Sequence, residues 1–215
     1  MTVRTLLLDG VPVSAREGET VLELCREHGV PLPTLCHHDG LPDVGACRLC
    51  LVEVKGSARP RAACTTLAEE GMEIATTSER LRRWRRQIVE LFFAERNHVC
   101  AICVASGRCE LQEVAYAVGM ESVRYPYRHP RTTLDASHPR FVHDPGRCIL
   151  CTRCVRVCAE VERAYTWDVA GRGEASRVVT DLAQPWGKAA SCTGCGKCLR
   201  ACPTGALFEK GGFPP

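Results

Sequence analysis

The chain has 215 residues, 28 Lys and Arg against 25 Asp and Glu, and an ordinary apolar fraction of 45%, which together exclude wholesale disorder. Its apolar runs are far shorter than a bilayer span, and Met1–Asp9 holds too short an apolar stretch for a secretory signal. The outlier is cysteine, with 16 residues; a chain without an export signal is expected in the cytoplasm, where such thiols bind metal rather than pair as disulfides.

In chain order, Thr5–Leu8 and Val11–Ser14 flank Asp9-Gly10, a hairpin signal. Thr20 is placed to cap a short amphipathic helix from Val21 to His28 that Gly29 stops. Leu51–Lys55 alternates as a strand does, and Met72–Ala75 offers another. Several strands crossed by one helix describe a β-grasp domain over residues 1–77, of the plant-type ferredoxin kind. Ser78 to Glu95 reads as the clearest helix, with Leu81, Trp84, Ile88, Leu91 and Phe92 at three- and four-residue intervals. Its arginines at 80, 82, 83, 85 and 86 give the first half the wrong sign for a helix N-terminus. Three readings fit them: a solvated face, a dock for an acidic partner, or counter-charge beside anionic clusters. Cys109 to Val118 reads as a second short helix, closing a small helical domain over 78–118. Residues 119–140, with Tyr125-Pro126-Tyr127-Arg128-His129-Pro130, read as an ordered crossover segment. The last module, 141–210, carries two cysteine runs separated by a hairpin of Tyr165–Ala170 and Arg177–Thr180 around Gly171-Arg172-Gly173; Lys210–Pro215 reads as a tail. The fold class is therefore α+β in three domains.

The cysteine runs carry the chemistry. Cys148-x2-Cys151-x2-Cys154-x3-Cys158 is repeated as Cys192-x2-Cys195-x2-Cys198-x3-Cys202-Pro203. Three cysteines at two-residue gaps wrap three corners of a cubane, and the fourth points to the other cluster. The spacing thus assigns Cys148, Cys151, Cys154 and Cys202 to one 4Fe–4S cluster, and Cys192, Cys195, Cys198 and Cys158 to another. Gly194 and Gly196 keep side chains off the inorganic core; one departure is Ala159, where proline would be expected. A zinc ribbon would need two separated Cys-x2-Cys pairs, not four cysteines per run. The N-terminal group, Cys36-x10-Cys47-x2-Cys50-x13-Cys64, suits a 2Fe–2S rhomb with two thiolates per iron, although its first gap is longer than in the plant-type signature and a four-cysteine zinc site is the rival by spacing. The middle group, His98-x-Cys100-x2-Cys103-x5-Cys109, leaves a 4Fe–4S cluster one thiolate short, and His98 is the nearest candidate for the fourth position. His37 and His38 are expected to shield or hydrogen-bond the first cluster rather than ligate it. Cys25, the one cysteine left over, is expected to be a buried, inert thiol.

On these residues the chain resembles the N-terminal relay of iron-only hydrogenases and the 75-kDa-type subunit of respiratory complex I. It more closely resembles the diaphorase small (gamma) subunit of NAD-reducing, bidirectional nickel–iron hydrogenases, through Glu95-Arg96-Asn97-His98-Val99-Cys100, Cys109-Glu110-Leu111-Gln112, the run from Arg147 to Cys158, and Cys202-Pro203-Thr204-Gly205-Ala206-Leu207. In the complex I and iron-only relatives the histidine stands three residues before its cysteine; here His98 is one residue ahead, and Arg96 holds the other position. The resemblance implies a cytoplasmic electron-relay subunit with one 2Fe–2S and three 4Fe–4S clusters and no catalytic residues of its own. Its implied partners are an FMN- and NAD-binding diaphorase large subunit and the nickel–iron hydrogenase small and large subunits. The relay subunit of an NAD-dependent formate dehydrogenase or a complex I-like enzyme is the alternative. Neither a Gly-x-Gly-x-x-Gly nor a P-loop is present, every cysteine pair that suits nickel is already used, and the chain is expected to end without a hydrogen-activating domain. A multi-zinc nucleic-acid-binding protein, drawing on the arginine run, is the rival from another class; few aromatics, no ββα finger spacing and the ferredoxin repeat count against it.

Overall fold

A computed structural model describes residues 3–128 and 130–211. His129 of the crossover and the part of the expected tail beyond Gly211 lie outside them. The chain divides into two compact units. Met1–His37 with Asp43–Ile88 form the first, and His38–Pro42 with Val89–Pro215 the second. Among the described residues no helix is long and apolar enough to cross a membrane.

In the first unit, β1 (Val3–Leu8) and β2 (Val11–Arg16) form the expected hairpin, Leu6 facing Val13 across it. Asp9 and Gly10 both take positive φ, 50° and 81°, as a tight two-residue turn that matches strand twist requires. The Asp9 carboxylate accepts from the Thr76 backbone N–H at 2.7 Å and from its hydroxyl, which pins the turn to the end of β5 (Glu73–Ala75). β5 runs parallel to β1 and antiparallel to β3 (Leu51–Val54), which pairs in turn with a two-residue β4 (Arg61–Ala62). The sheet order is β2-β1-β5-β3-β4. Across it lies α1 (Val21–Glu27), opened by a capping box in which Thr20 and Glu23 exchange hydrogen bonds. Alternate strand residues Leu6, Leu8, Val13, Ala15, Val52 and Ile74 meet Val21, Leu22, Leu24 and Cys25 of the helix in one core, each buried Leu or Val stabilising the fold by roughly 1.5–3 kcal/mol. This is the expected β-grasp, and burial pushes the Cys25 thiol up to about 12, the condition of an unreactive sulfur.

α2 (Glu79–Glu95) begins at Ser78, whose hydroxyl accepts from the Leu81 N–H at 3.1 Å. Its arginines have separate fates. Arg80 pairs with Glu53 at 2.6 Å and lies over Trp84, and Arg82 pairs with Glu79. Arg85 is buried, its guanidinium donating to the carbonyls of Leu49, Leu51 and Thr76 at 3.2, 2.7 and 2.9 Å.

In the second unit α3 (Glu110–Ala117) starts at Cys109 and buries Leu111 and Ala115. Two small antiparallel ribbons follow: the expected hairpin of β7 (Trp167–Ala170) with β8 (Arg177–Thr180), and β6 (Phe141–His143) with β9 (Leu207–Glu209), which closes the module onto its own C-terminal strand. Gly171 turns the hairpin at φ +81°, and a β-carbon there would sit 2.2 Å from the Ala175 carbonyl oxygen. α4 (Arg153–Arg156) and α5 (Lys197–Ala201) are single short helices inside the two cysteine runs. α4 continues into a π turn over Val157–Val161. The core joins Phe141, Val157, Trp167, Val178, Trp186 and Leu207 with cysteines 154, 158 and 198.

Candidate metal centres

The two C-terminal runs share one backbone path. Leu150 and Thr152 take left-handed φ of 55° and 60°. At the corresponding positions of the second run, Gly194 and Gly196 take 69° and 71°. The sequence repeat is thus a conformational repeat. The left-handed residues curl each loop so that successive cysteines turn inward. Glycine accepts that path freely, whereas Leu150 and Thr152 adopt it at a cost of about 1–2 kcal/mol each.

These loops bring the cysteines to two cavities. Cys148, Cys151, Cys154 and Cys202 line one. Cys158, Cys192, Cys195 and Cys198 line the second. Cys158 lies in the π turn, its Sγ accepting from the Thr166 N–H at 3.4 Å. The helical path continues through residue 159, and a proline there would force Cys158 out of it, which accounts for Ala159. After Cys202 the chain instead leaves the helix in an extended conformation and accepts Pro203.

The middle group forms a third cavity, lined by His98, Cys100, Cys103 and Cys109. His98 Nε2 is buried and has no hydrogen-bond partner. Burial, then the nearby Arg147 and Arg96, holds its pKa down to about 4, so the ring is neutral and one nitrogen lone pair is free for a metal. Arg147 Nη1 donates to Cys103 Sγ at 3.3 Å while Arg147 Nε pairs with Asp144 at 3.0 Å.

In the first unit Cys36, Cys47, Cys50 and Cys64 are all at most 4% exposed. The four thiols hydrogen-bond among themselves, which holds Cys36 far down, brings Cys50 to about 7 and pushes Cys47 and Cys64 up. Backbone N–H groups of Leu35 and Leu49 point at Cys47, and that of Cys64 at Cys50. His37 is turned away to Asp43, 2.9 Å from Nδ1, and to Arg26 at Nε2, while His38 Nδ1 faces the Asp39 carbonyl.

Among the described residues no three His, Cys, Asp or Glu side chains converge on a point as a single bound ion requires. In the second unit the donors instead line the walls of cavities. Burial pushes Cys148 up to about 11 and Cys198 to about 12, and Cys151 and Cys154 higher. Thiols so buried become thiolates only around positive charge. The wall-lining sulfurs and the free His98 nitrogen therefore fit iron–sulfur groups.

Several residues in and around these cavities have roles that cysteine spacing does not reveal. Arg153 and Arg156 are buried beneath the first loop. Arg153 forks onto Glu110 at 2.6 and 2.8 Å, and Arg156 donates to the carbonyls of Pro42 and Cys151. Gly205 and Thr204 line the His98 cavity, and Thr204 also lines the Cys148 cavity.

Three families match the chain in order: "2Fe-2S iron-sulfur cluster binding domain" over residues 3–79, "NADH-ubiquinone oxidoreductase-G iron-sulfur binding region" over 85–124, and "NADH-quinone oxidoreductase subunit 3, ferredoxin-like domain" over 139–208. The NAD-reducing hydrogenase HoxS subunit gamma of Cupriavidus necator is 34% identical over 206 residues, which cover 95% of this chain and 86% of that one. The chain belongs to this gamma-subunit family. A chain in the crystal structure of an NAD+-reducing NiFe-hydrogenase in the H2-reduced state is 39% identical to this chain, with a TM-score of 0.90 and coverage of 97% of this chain and 88% of that one. The same module also occurs inside longer proteins. The NADPH-Fe(3+) oxidoreductase subunit alpha of Geobacter sulfurreducens is 36% identical over 96% of this chain, which spans only 24% of that relative's length.

Proposed function

We propose that this gamma-type chain is a non-catalytic electron-relay subunit of a cytoplasmic NAD-reducing hydrogenase, linking an FMN- and NAD-binding diaphorase partner to nickel–iron hydrogenase subunits. One 2Fe–2S cluster is assigned to Cys36, Cys47, Cys50 and Cys64. Three 4Fe–4S clusters are assigned to His98, Cys100, Cys103 and Cys109; to Cys148, Cys151, Cys154 and Cys202; and to Cys192, Cys195, Cys198 and Cys158. The domains they occupy are 1–77, 78–118 and 141–210, with 119–140 as the crossover.

The observation that carries this reading is the set of three cavities, each lined by the side chains of one proposed ligand set, with Cys158 and Cys202 each lining the cavity of the other run. When bound, such clusters take up and release one electron at a time. The chain's own residues do the rest. The left-handed loops fix the sulfurs, and the buried arginines and backbone N–H groups offset thiolate charge. His98 offers a neutral donor, which holds one site less negative than its thiolate neighbours.

The test is to purify the chain with its co-expressed partners and add NADH or hydrogen under anaerobic conditions. The reading predicts that either donor reduces the chain's clusters, seen by freeze-quench EPR. If neighbouring genes encode a molybdoenzyme and formate alone reduces the chain, the formate dehydrogenase alternative takes its place.

A further inference from the structure

Two tryptophans wall the cavity of Cys158, Cys192, Cys195 and Cys198. Trp186 is 1% exposed and Trp167 3%, and their rings meet edge to face at 4.7 Å. Trp186 Nε1 donates to Cys192 Sγ at 3.3 Å. Trp167 lines the same wall as Cys198, and its indole works against the burial that raises the Cys198 thiol pKa. One sulfur of this group therefore accepts from an indole N–H, and a second has an indole beside it. The Cys148 group is built differently: Cys148 Sγ accepts from the Leu150 backbone N–H at 3.4 Å, and Cys202 Sγ faces the Thr204 hydroxyl at 3.7 Å.

The donors are held from outside the cysteine runs. The Trp186 backbone N–H donates to Asp135 at 2.7 Å, and that of Gly187 to the Ser137 hydroxyl at 2.8 Å. A β-carbon on Gly187 would lie 2.3 Å from the Ser137 carbonyl oxygen, so this close approach requires glycine. The rings of His138 and Phe141 pack on Trp186 with centroids 4.9 and 5.5 Å away. The crossover segment thereby orients an indole at the second cysteine run.

We propose that Trp186 and Trp167 are positioning residues that set the reduction potential of the group bound by Cys158, Cys192, Cys195 and Cys198. The inference rests on the ligand assignment of the preceding section. Reduction adds one negative charge, part of which spreads onto the ligand sulfurs. A fixed N–H dipole at those sulfurs stabilises the reduced form more than the oxidised form, and a low-dielectric wall strengthens the effect. Both indoles act in the same direction, on this group and on neither of its neighbours.

The experiment is an EPR-monitored redox titration of the cluster-loaded protein in its complex, comparing wild type with Trp186→Phe and Trp167→Phe, which keep an aromatic ring in the core. Each variant is expected to shift the same 4Fe–4S signal to lower potential while the other signals stay. For Trp186→Phe the oxidised-to-reduced ratio at fixed poise should rise about tenfold, equivalent to ~59 mV for a one-electron couple. Wild type labelled with 15N-indole tryptophan should also give a 15N coupling in the ENDOR spectrum of that reduced cluster, which needs no variant to fold. Signals that stay in place with full iron and sulfide, signals that all shift together, or a labelled wild type without the coupling would overturn the proposal. Wild type that lacks its iron and sulfide would instead overturn the ligand assignment.

Discussion

Gly205 stands so close to Cys103 that a β-carbon built on it would lie 2.7 Å from the sulfur, and 3.3 Å from the Ala105 β-carbon. The Cys-Pro-Thr-Gly stretch thus serves two cavities, Cys202 facing one and Gly205 packing on a donor of the other. Gly205→Ala should push Cys103 out of place and deplete the His98 site alone. Iron analysis should find about four of about fourteen irons missing per chain, with the signals of the other three clusters retained.

His98 offers a second, independent handle on that site. His98→Cys replaces a neutral donor with a thiolate, so the cluster should be retained at a lower potential. His98→Ala should leave three protein ligands and an oxygen-labile site. Potentiometric EPR distinguishes these outcomes from a histidine without a ligand role, for which neither variant would move any signal.

Strain in the repeated loops predicts an asymmetry in stability. Gly196→Ala places a side chain at φ +71° with only ordinary contacts around its new carbon; the cost should be about 1 kcal/mol, from backbone conformation alone. The shift in urea midpoint measures it. Alanine at a glycine with negative φ and open space would cost less.

Arg85 is the arginine of α2 that does not face water. Its three carbonyl bonds bracket Cys50 by way of Leu49 and Leu51, so Arg85→Met should leave three buried acceptors unsatisfied, at about 2–4 kcal/mol. Arg85→Lys should recover only part, because an ammonium lacks the fork. Urea denaturation followed at the 2Fe–2S absorption band reads the loss.

His143 gives the fold a pH dependence. Burial lowers its pKa from 6.5 to about 4, so the native ring stays neutral while the unfolded one binds a proton below pH 6.5. Unfolding therefore takes up a proton in that window. Stability is whole above pH 6.5 and falls as pH drops towards 4, by up to about 3 kcal/mol from this group. His143→Gln should flatten the wild-type slope of urea midpoint against pH between 6.5 and 5.

Which cysteines line a common cavity was legible in the sequence because cysteine spacing is itself a geometric statement: two-residue gaps wrap a corner, and a fourth cysteine one turn on points elsewhere. The hairpins, the capping box at Thr20 and the helix from Ser78 were legible because local chemistry decides them. The β6–β9 ribbon was not, since three residues per strand leave no period to read. Nor were the contacts of Trp186, Arg85 and Gly205. Their partners Asp135, Leu51 and Cys103 are distant in sequence, and the bonds between them follow no repeat. The arginine run shows the limit most clearly. Position 85 looks like its neighbours in composition, and only packing separates the buried guanidinium from the exposed ones.

The most direct measurement is iron, acid-labile sulfide and zinc on the protein purified anaerobically with its partners, read alongside its Mössbauer spectrum. The account predicts about fourteen irons and as many sulfides per chain, divided as one 2Fe–2S and three 4Fe–4S signatures, with negligible zinc. Zinc in stoichiometric amount, or iron accounting for fewer than four clusters when every cysteine set is intact, would contradict it.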